Sequence, residues 1–298
     1  MKTVLITAGD PLGIGPEITV KALQDARVQK ACRAVVIGEE TSLKKAGWHD
    51  ELGKIIPLSC EKLPTKKAPS KAGGRVSFQA VELGIKLALK TGFALVTAPI
   101  SKQSWQLCGV PFTGHTELLR ARTGKDGLML FTSGHLRAAL VTEHFALQNL
   151  PLTQKRIETS ALHFLDALNQ FGLARPRIGV CAVNPHASDG GKFGSEEQKL
   201  ILPALKNLKK YGSFDGPLPS DSAWLKHKAG LYDGLLCMYH DQALLGLKLA
   251  AKDPIVHLTA GLPFVRTSPT HGTAFDIAGK NKADAQSMVS AILFACEN

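Results

Sequence analysis

Three histidines follow apolar, strand-like runs of the sequence, and each is bordered by polar residues or turn signals: His144, His186 and His240. Imidazole nitrogens are common ligands of divalent metal ions, and a catalytic ion keeps open positions for its substrate. A single histidine at the end of a strand is more often a hydrogen-bonded polar residue. The three histidines therefore form either one shared metal site or three separate polar positions, and their long spacing leaves both interpretations open.

The stretch from Gly234 to Gln242 concentrates this chemistry. Its apolar residues 235–238 indicate a buried strand, and His240 and Asp241 follow at the carboxyl end. Ligands of α/β proteins bind outside the carboxyl ends of strands. A carboxylate close to a metal-binding imidazole can orient the ring or a bound water. Asp241 is therefore a candidate for such a role, and so is Asp221, which precedes a predicted helix.

Cationic and donor side chains recur in the other motifs. As a group they could hold a phosphate and a carboxylate through charge-assisted hydrogen bonds. Taken singly, Lys248 and Arg266 are more simply surface charges, and Thr113 or Thr116 could equally cap a helix. The candidates are Lys102, His115, Thr116, Lys248 and Arg266.

Strands and helices alternate along the first part of the chain, which predicts an α/β fold with a mostly parallel sheet. Strand-like runs lie at 4–8, 34–38, 55–58 and 93–97, a helical pattern lies at 77–90, and a surface connection is predicted at 61–74. The glycine-rich turn at 9–17 ends in Pro16 and Glu17, which are helix start signals. Its glycines suit either a tight strand-to-helix turn or a loop that binds an anion or nucleotide. The spacing is not G-x-G-x-x-G, so the indication of a Rossmann domain is weak.

The second part of the chain continues with further elements. The sequence predicts an antiparallel strand pair at 128–131 and 136–141, an amphipathic helix at 153–171, and a strand at 177–183. A turn-rich segment at 216–221, a strand at 255–258 and a final helix at 283–295 follow.

Composition excludes several classes of protein. The 298 residues suit one large domain or two ordinary ones. No run reaches the roughly 18 apolar residues that span a bilayer, and no cleavable signal precedes the first strand, so we expect a cytoplasmic protein without a membrane partner. The six cysteines form no C-x-x-C pair, which indicates reduced thiols. The net charge of +11 is spread along the chain with few aromatics between the cations, which disfavours nucleic-acid binding. Solvated helix faces explain most of this charge, and a surface that steers a phosphorylated substrate and an anionic dinucleotide is also consistent with it.

Seven motifs in order along the chain resemble one family, the 4-hydroxythreonine-4-phosphate dehydrogenases of pyridoxal phosphate biosynthesis. They cover the chain from residue 9 to about residue 284. The motifs are GDPLGIGPE at 9–17, TAPISK at 97–102, PFTGHTE at 111–117, NPH at 184–186 with Gly190 and Gly191, GPLP at 216–219, MYHDQ at 238–242 and GLPFVR at 261–266.

The resemblance implies an isocitrate/isopropylmalate dehydrogenase-like α/β/α fold with two lobes and a cleft between them. It implies one lobe from residues 1–112 with 279–298, and a second lobe from 113–278 that carries the metal ligands and the dimer interface. The protein would be a homodimer whose active site is shared between subunits. NAD or NADP would occupy the cleft, with no cofactor-binding residues identified by the motifs.

The resemblance also implies the chemistry. The enzyme would oxidise 4-hydroxy-L-threonine 4-phosphate to a β-keto acid that decarboxylates to 3-amino-2-oxopropyl phosphate. A divalent zinc, magnesium or cobalt ion would be bound by the three histidines named above, with ligands contributed across the dimer. His115, Thr116, Lys248 and Arg266 would contact the substrate. Lys102 and Asp241 are candidates for proton transfer, and Asp221 for positioning water.

One position departs from the family. The chain has His257 where the family usually has an asparagine among its substrate contacts. Histidine can also donate a hydrogen bond, but its size and titration differ. A related dehydrogenase of threonate or erythronate 4-phosphate is therefore an alternative, and a non-redox phosphate-binding or acyltransferase relative is a third. The chain is also shorter than many relatives around residues 55–75.

Overall fold

The computed structural model describes residues 1–60 and 62–298. Strands and helices alternate over most of this length, so the predicted α/β class is confirmed. The strands, in chain order, are β1 (Lys2–Thr7), β2 (Cys32–Gly38), β3 (Lys54–Pro57), β4 (Ala94–Thr97), β5 (Leu128–Ser133), β6 (Leu136–Leu140), β7 (Arg177–Cys181), β8 (Ser213–Leu218), β9 (Gly234–Cys237), β10 (Val256–Ala260) and β11 (Arg266–Pro269).

Eleven α-helices lie in the described residues. They are α1 (Gly15–Leu23), α2 (Ala26–Ala31), α3 (Glu40–Lys45), α4 (Lys71–Thr91), α5 (Lys102–Leu107), α6 (His115–Thr123), α7 (Gln154–Gln170), α8 (Leu202–Leu208), α9 (Ser220–Lys228), α10 (His240–Ala250) and α11 (Gln286–Glu297). The bounds of α7 agree with its predicted bounds to within one residue. A 3-10 segment, Pro185–Gly191, and a π-helical turn, Glu197–Ile201, lie between β7 and α8.

The chain folds into two compact units. The first contains Met1–Gly127 and Val256–Asn298, and the second contains Leu128–Ile255. In the first unit the strand order is β3-β2-β1-β4-β11-β10, parallel except for the antiparallel pair β10 and β11. In the second unit the order is β5-β6-β9-β7-β8, parallel except for the predicted hairpin β5–β6.

The unit boundaries differ from those expected at residues 112 and 279. Leu118 and Leu119 of α6 are buried in the apolar core of the first unit, with Trp105 and Phe264. Strands β10 and β11 join the sheet of that same unit. Because sheet pairing and core packing bind these segments to the first unit, the second unit is shorter than the sequence suggested.

Two segments were assigned wrongly from sequence. Residues 71–74, expected in a surface connection, form the first turn of α4, because the Ser70 hydroxyl accepts a hydrogen bond from the Gly73 N–H and caps the helix. Residues 216–218, expected in a turn, lie in β8, which pairs with β7 at the end of the strand order. An edge strand tolerates proline, since one side of its backbone needs no partner.

None of the helices within the described residues is both long and apolar enough to cross a membrane. The thiols of Cys181 and Cys237 are buried on the neighbouring strands β7 and β9, with 3.9 Å between their sulfurs.

Candidate active site

His240 is positioned by a rigid strand-to-helix junction in the second unit. Strand β9 is fully buried, and α10 begins at His240, so this histidine opens a helix and does not close the strand itself. The Gln242 side chain fixes the junction. Its Oε1 accepts from the Met238 N–H at 2.7 Å, and its Nε2 donates to the Ala182 carbonyl at 2.6 Å.

The His240 ring is oriented by its neighbour. Its Nδ1 lies 2.8 Å from Asp241 Oδ1. A carboxylate accepts this hydrogen bond, which places a proton on Nδ1 and leaves the lone pair of Nε2 available to a metal ion. This arrangement is typical of a carboxylate that orients a metal-binding imidazole.

His144 lies beside His240. The two ring centroids are 5.1 Å apart, and the rings are tilted by 40°. Two imidazoles that share one tetrahedral zinc ion, with zinc–nitrogen distances near 2 Å, have centroids about 5 Å apart. The separation therefore fits two ligands of one ion.

His186 lies in the 3-10 segment after β7, and its surroundings are unusual. From His186 to Gly190 all five φ angles are positive, between 44° and 69°. The segment is anchored by buried Glu197, whose Oε1 accepts from the Val183 and Asn184 N–H groups at 2.8 Å each. Burial alone would raise the pKa of Glu197, but the hydrogen bonds from Asn184 and Val183 outweigh it and lower that pKa.

Within the described residues of one chain, the three histidines do not lie close enough together to bind one metal ion. Among the residues that the structure describes, no group of three or more His, Cys, Asp or Glu side chains has the spacing of a metal site. Asp221 lies exposed in the first turn of α9, where its carboxylate accepts from the Ser222 N–H. Lys248 is exposed in the last turn of α10. The structure thus brings His144, His240 and Asp241 together, without His186.

Arg266 is the centre of a second cluster, in the first unit. Its side chain is not a surface charge, since the residue is only 2% exposed. The guanidinium donates from Nη2 to Thr97 Oγ1 at 2.6 Å and from Nη1 to Thr259 Oγ1 at 3.1 Å. Burial lowers the pKa of Arg266 to about 9, which still leaves it charged at neutral pH. In the described parts of the chain, no carboxylate forms an ion pair with it.

His257 is held in a fixed orientation beside Arg266. Its Nδ1 lies 3.3 Å from Arg266 Nη1 and 3.1 Å from Ser268 Oγ. A guanidinium can only donate, so Nδ1 is an acceptor, and the neutral ring carries its proton on Nε2. His257 therefore presents an N–H donor on Nε2, as an asparagine amide can.

His115 belongs to the same cluster. It is the first residue of α6, follows Gly114 at the N-cap, and packs against Trp105 with 6.0 Å between ring centroids. The pKa of His115 lies well below its usual range, first because of burial and then because Arg266 and His257 are close. A neutral imidazole beside a buried guanidinium can donate or accept hydrogen bonds without adding further charge.

The helix start at His115 is left open for a ligand. Neither Thr113 nor Thr116 occupies the N-cap of α6, which is Gly114, and within residues 1–60 and 62–298 no side-chain hydrogen bond caps this helix. Thr113 instead donates to Glu117, from its N–H at 2.7 Å and its hydroxyl at 2.9 Å. Lys102, at the start of α5, passes close by, because a Cβ built on Gly114 would lie 3.6 Å from Lys102 Cε. These groups surround a place suited to an anion.

The glycine-rich turn before α1 borders a cavity of about 650 Å³ that the sequence did not reveal. Its lining includes Gly13, Pro16, Lys45, Lys67 and Asn281. The three glycines before a helix were a visible signal. The two lysines and the asparagine come from distant segments, so no local pattern could connect them.

Asp10 holds this turn in place. It is fully buried and accepts from the Leu12 N–H at 3.0 Å and from the Ser104 hydroxyl at 2.7 Å. Burial raises the pKa of Asp10, and the two hydrogen bonds act against that rise. Gly13 cannot be replaced without movement, since a Cβ there would lie 2.8 Å from the Thr273 carbonyl oxygen.

Comparisons with known proteins agree with the motifs. The family model "Pyridoxal phosphate biosynthetic protein PdxA" matches residues 12–295. A 4-hydroxythreonine-4-phosphate dehydrogenase of Desulfosudis oleivorans is 38% identical over 98% of this chain and 94% of its own length. A Bradyrhizobium diazoefficiens protein, provisionally named a D-threonate 4-phosphate dehydrogenase, is 36% identical over 97% of this chain and 94% of its own length.

A solved structure shows the same fold. The crystal structure of 4-hydroxythreonine-4-phosphate dehydrogenase from Klebsiella pneumoniae is 34% identical and superposes with a TM-score of 0.89, over 99% of this chain and 97% of that one. The resemblance read from the sequence motifs is thereby confirmed. The chain belongs to the PdxA family of pyridoxal phosphate biosynthetic proteins.

Proposed function

We propose that this dehydrogenase oxidises the secondary hydroxyl of 4-hydroxy-L-threonine 4-phosphate; its role in pyridoxal phosphate biosynthesis follows from the family. The observation that supports the substrate class is buried Arg266, which lies beside His115 and His257 and pairs with no carboxylate of the described chain. A buried charge without a counter-charge is costly, so this cluster favours an anionic ligand. A phosphate ester supplies one.

The substrate contacts follow from this placement. Arg266 and the neutral His115 and His257 rings would hold the phosphate by hydrogen bonds, together with the open first turn of α6 at Thr116. Lys248 would add a further cation. The metal-binding end of the substrate would then carry the hydroxyl that is oxidised.

The imidazole pair of the second unit suits a divalent metal ion. We assign His144 and His240 as two ligands, and His186 of the partner subunit as the third, since no third ligand completes the pair within one chain's described residues. Zinc, magnesium or cobalt bound there would lower the pKa of the substrate hydroxyl. Asp241 accepts a hydrogen bond from His240 Nδ1, so Nε2 would be the nitrogen that binds the ion.

NAD or NADP would accept the hydride. We propose that the cavity beside residues 11–17 takes part of this cofactor, because the cations Lys45 and Lys67 line it and suit a pyrophosphate. Lys102 is the candidate base for the hydroxyl proton, with Asp221 positioning water. The β-keto acid product then loses carbon dioxide and leaves 3-amino-2-oxopropyl phosphate. Six scattered cysteines without a C-x-x-C pair suit a reducing compartment, and we propose the cytoplasm.

A second candidate substrate is D-threonate 4-phosphate. It is favoured by the similarity to the Bradyrhizobium protein and by His257 at a substrate-contact position. Both molecules are phosphorylated hydroxy acids that can chelate a metal. They differ at carbon 2, which carries an amino group in one and a hydroxyl in the other.

The ratio of kcat/KM for the two substrates tests the proposal. We expect the purified enzyme to reduce NAD or NADP more efficiently with 4-hydroxythreonine phosphate. A higher kcat/KM with threonate phosphate would show that the enzyme is a D-threonate 4-phosphate dehydrogenase instead. If neither NAD nor NADP is reduced with either substrate, a redox function is contradicted.

A further inference from the structure

We infer that Thr97 and Thr259 are positioning residues that hold Arg266 without neutralising it, so that the anionic group of the substrate becomes its counter-charge. This inference rests on the proposed function, because it concerns what keeps the phosphate-binding arginine available. It assigns a role to two hydroxyls that none of the sequence motifs singled out as a ligand.

The sheet of the first unit brings the three residues together. Thr97 ends β4, Arg266 begins β11, and Thr259 lies on β10, in the strand order β4-β11-β10. Arg266 therefore lies between the two threonines. All three are buried, with 1%, 5% and 2% exposure for Thr97, Thr259 and Arg266.

The two threonines accept hydrogen bonds from the two terminal nitrogens of the guanidinium. Thr97 Oγ1 accepts from Nη2 and Thr259 Oγ1 accepts from Nη1. Nε is buried and has no hydrogen-bond partner among the residues described. Threonine is stiff about χ1, so each hydroxyl is fixed in place by its own strand.

The choice of a hydroxyl has an electrostatic consequence. A buried arginine is usually paired with a carboxylate, which satisfies its N–H groups and also cancels its charge. A threonine hydroxyl accepts the hydrogen bond but carries no charge. The guanidinium is thus held in position while its full charge remains for a ligand. A carboxylate at the same place would compete with the substrate phosphate.

Thr97→Val, with inorganic phosphate as the probe, tests the inference in the full-length chain. Valine keeps the shape of threonine but cannot accept the hydrogen bond. We expect the phosphate Kd, measured by titration calorimetry, to rise about tenfold, as for loss of one hydrogen bond to a charged group. Thr97→Ser restores the hydroxyl and should return the Kd close to the wild-type value. With substrate, KM should rise while kcat changes little.

Thr267→Val is the matched control. Thr267 is adjacent to Arg266 on β11 and equally buried, but its hydroxyl donates to the Ala291 carbonyl of α11. This variant should lower Tm without changing the phosphate Kd. A general loss of packing would weaken phosphate binding in both valine variants, whereas loss of positioning affects only Thr97→Val.

Thr97→Asp tests the charge directly. The new carboxylate would pair with Arg266, so phosphate binding should be weaker than in Thr97→Val, by a further tenfold or more. Thermal melting shows whether this variant is folded, and Thr259→Val provides a second test if it is not.

The outcomes separate the two ideas. Phosphate binding by the wild type and equally tight binding by Thr97→Val and Thr259→Val would overturn the positioning role and leave the proposed function intact. Absence of phosphate binding by the wild type would overturn both, because Arg266 would then have no anion to hold.

Discussion

At the scale of single residues, His227 illustrates how a structural histidine in the core differs from one that binds a ligand. It is fully buried, and its Nε2 accepts from the Arg137 N–H at 2.9 Å. The proton must then lie on Nδ1, which donates to the Tyr232 carbonyl at 2.8 Å. Both nitrogens are satisfied by the neutral ring, so this histidine is structural.

Burial lowers the pKa of His227, and the Tyr232 carbonyl only partly opposes this. Below about pH 6.5, His227 is therefore protonated in the unfolded chain while it stays neutral in the folded chain. The stability contributed by this site should be complete above about pH 6.5 and should decrease as the pH falls from there toward the folded pKa.

Thermal unfolding between pH 8 and pH 5 checks this prediction, with His227→Gln as the comparison. The Tm of the wild type should fall more steeply with acid than that of the variant. The variant should retain part of the acid sensitivity, because the pKa of His115 is also depressed. Parallel Tm curves for the two proteins would contradict the prediction.

At the scale of elements, the segment that carries His186 is held in a costly conformation. Left-handed backbone costs a residue with a side chain roughly 1–2 kcal/mol, and His186, Ala187, Ser188 and Asp189 all adopt it. The Glu197 hydrogen bonds at the start of the segment help to maintain it. Such strain concentrates at functional sites, where it fixes a side chain in place.

Ala187→Gly should therefore stabilise the protein, by up to about 1 kcal/mol, because glycine adopts positive φ without steric cost. Ala121→Gly is the control, since Ala121 lies exposed in helix α6, where glycine should destabilise by roughly 0.5–1 kcal/mol. Urea unfolding gives both values. Destabilisation by Ala187→Gly as large as that by Ala121→Gly would show that residue 187 is not strained.

Elements with strong local patterns were predictable and those fixed by pairing were not. The amphipathic helix α7 starts within a residue of its predicted position, because Thr153 caps it and its apolar face is periodic. Strand β11 has no apolar alternation, and it becomes a strand because β4 and β10 pair with it on either side. The burial of Arg266 depends on that pairing, and so could not be read from its neighbours in sequence.

At the scale of the whole molecule, the proposed homodimer rests on the incomplete metal site. Helix α10, which begins with His240, also exposes Leu245 and Leu249, at 63% and 81% of their surface. They are one helical turn apart and form an apolar stripe suited to contact with a second copy. A dimer would contain two chains of 31.9 kDa each.

Mixing two inactive variants tests the shared site. His240→Ala and His186→Ala should each lose turnover while remaining folded. If His186 acts across the interface, a mixed dimer contains one intact site and one that lacks both ligands. Refolding the two variants together should then restore about a quarter of the wild-type activity. No recovery, with mixed dimers demonstrated by tagged chains, would place all ligands in one subunit or refute the dimer site.

The most direct measurement is the reduction of NAD or NADP by the purified protein with 4-hydroxythreonine phosphate, followed by the absorbance of the reduced nicotinamide. The assay is run before chelation, after chelation, and after re-addition of zinc, magnesium or cobalt. We expect reduction that stops with the chelator, returns with metal and is absent in His240→Ala. Reduction that persists in the chelator and in His240→Ala would contradict a metal-dependent dehydrogenase built on these histidines.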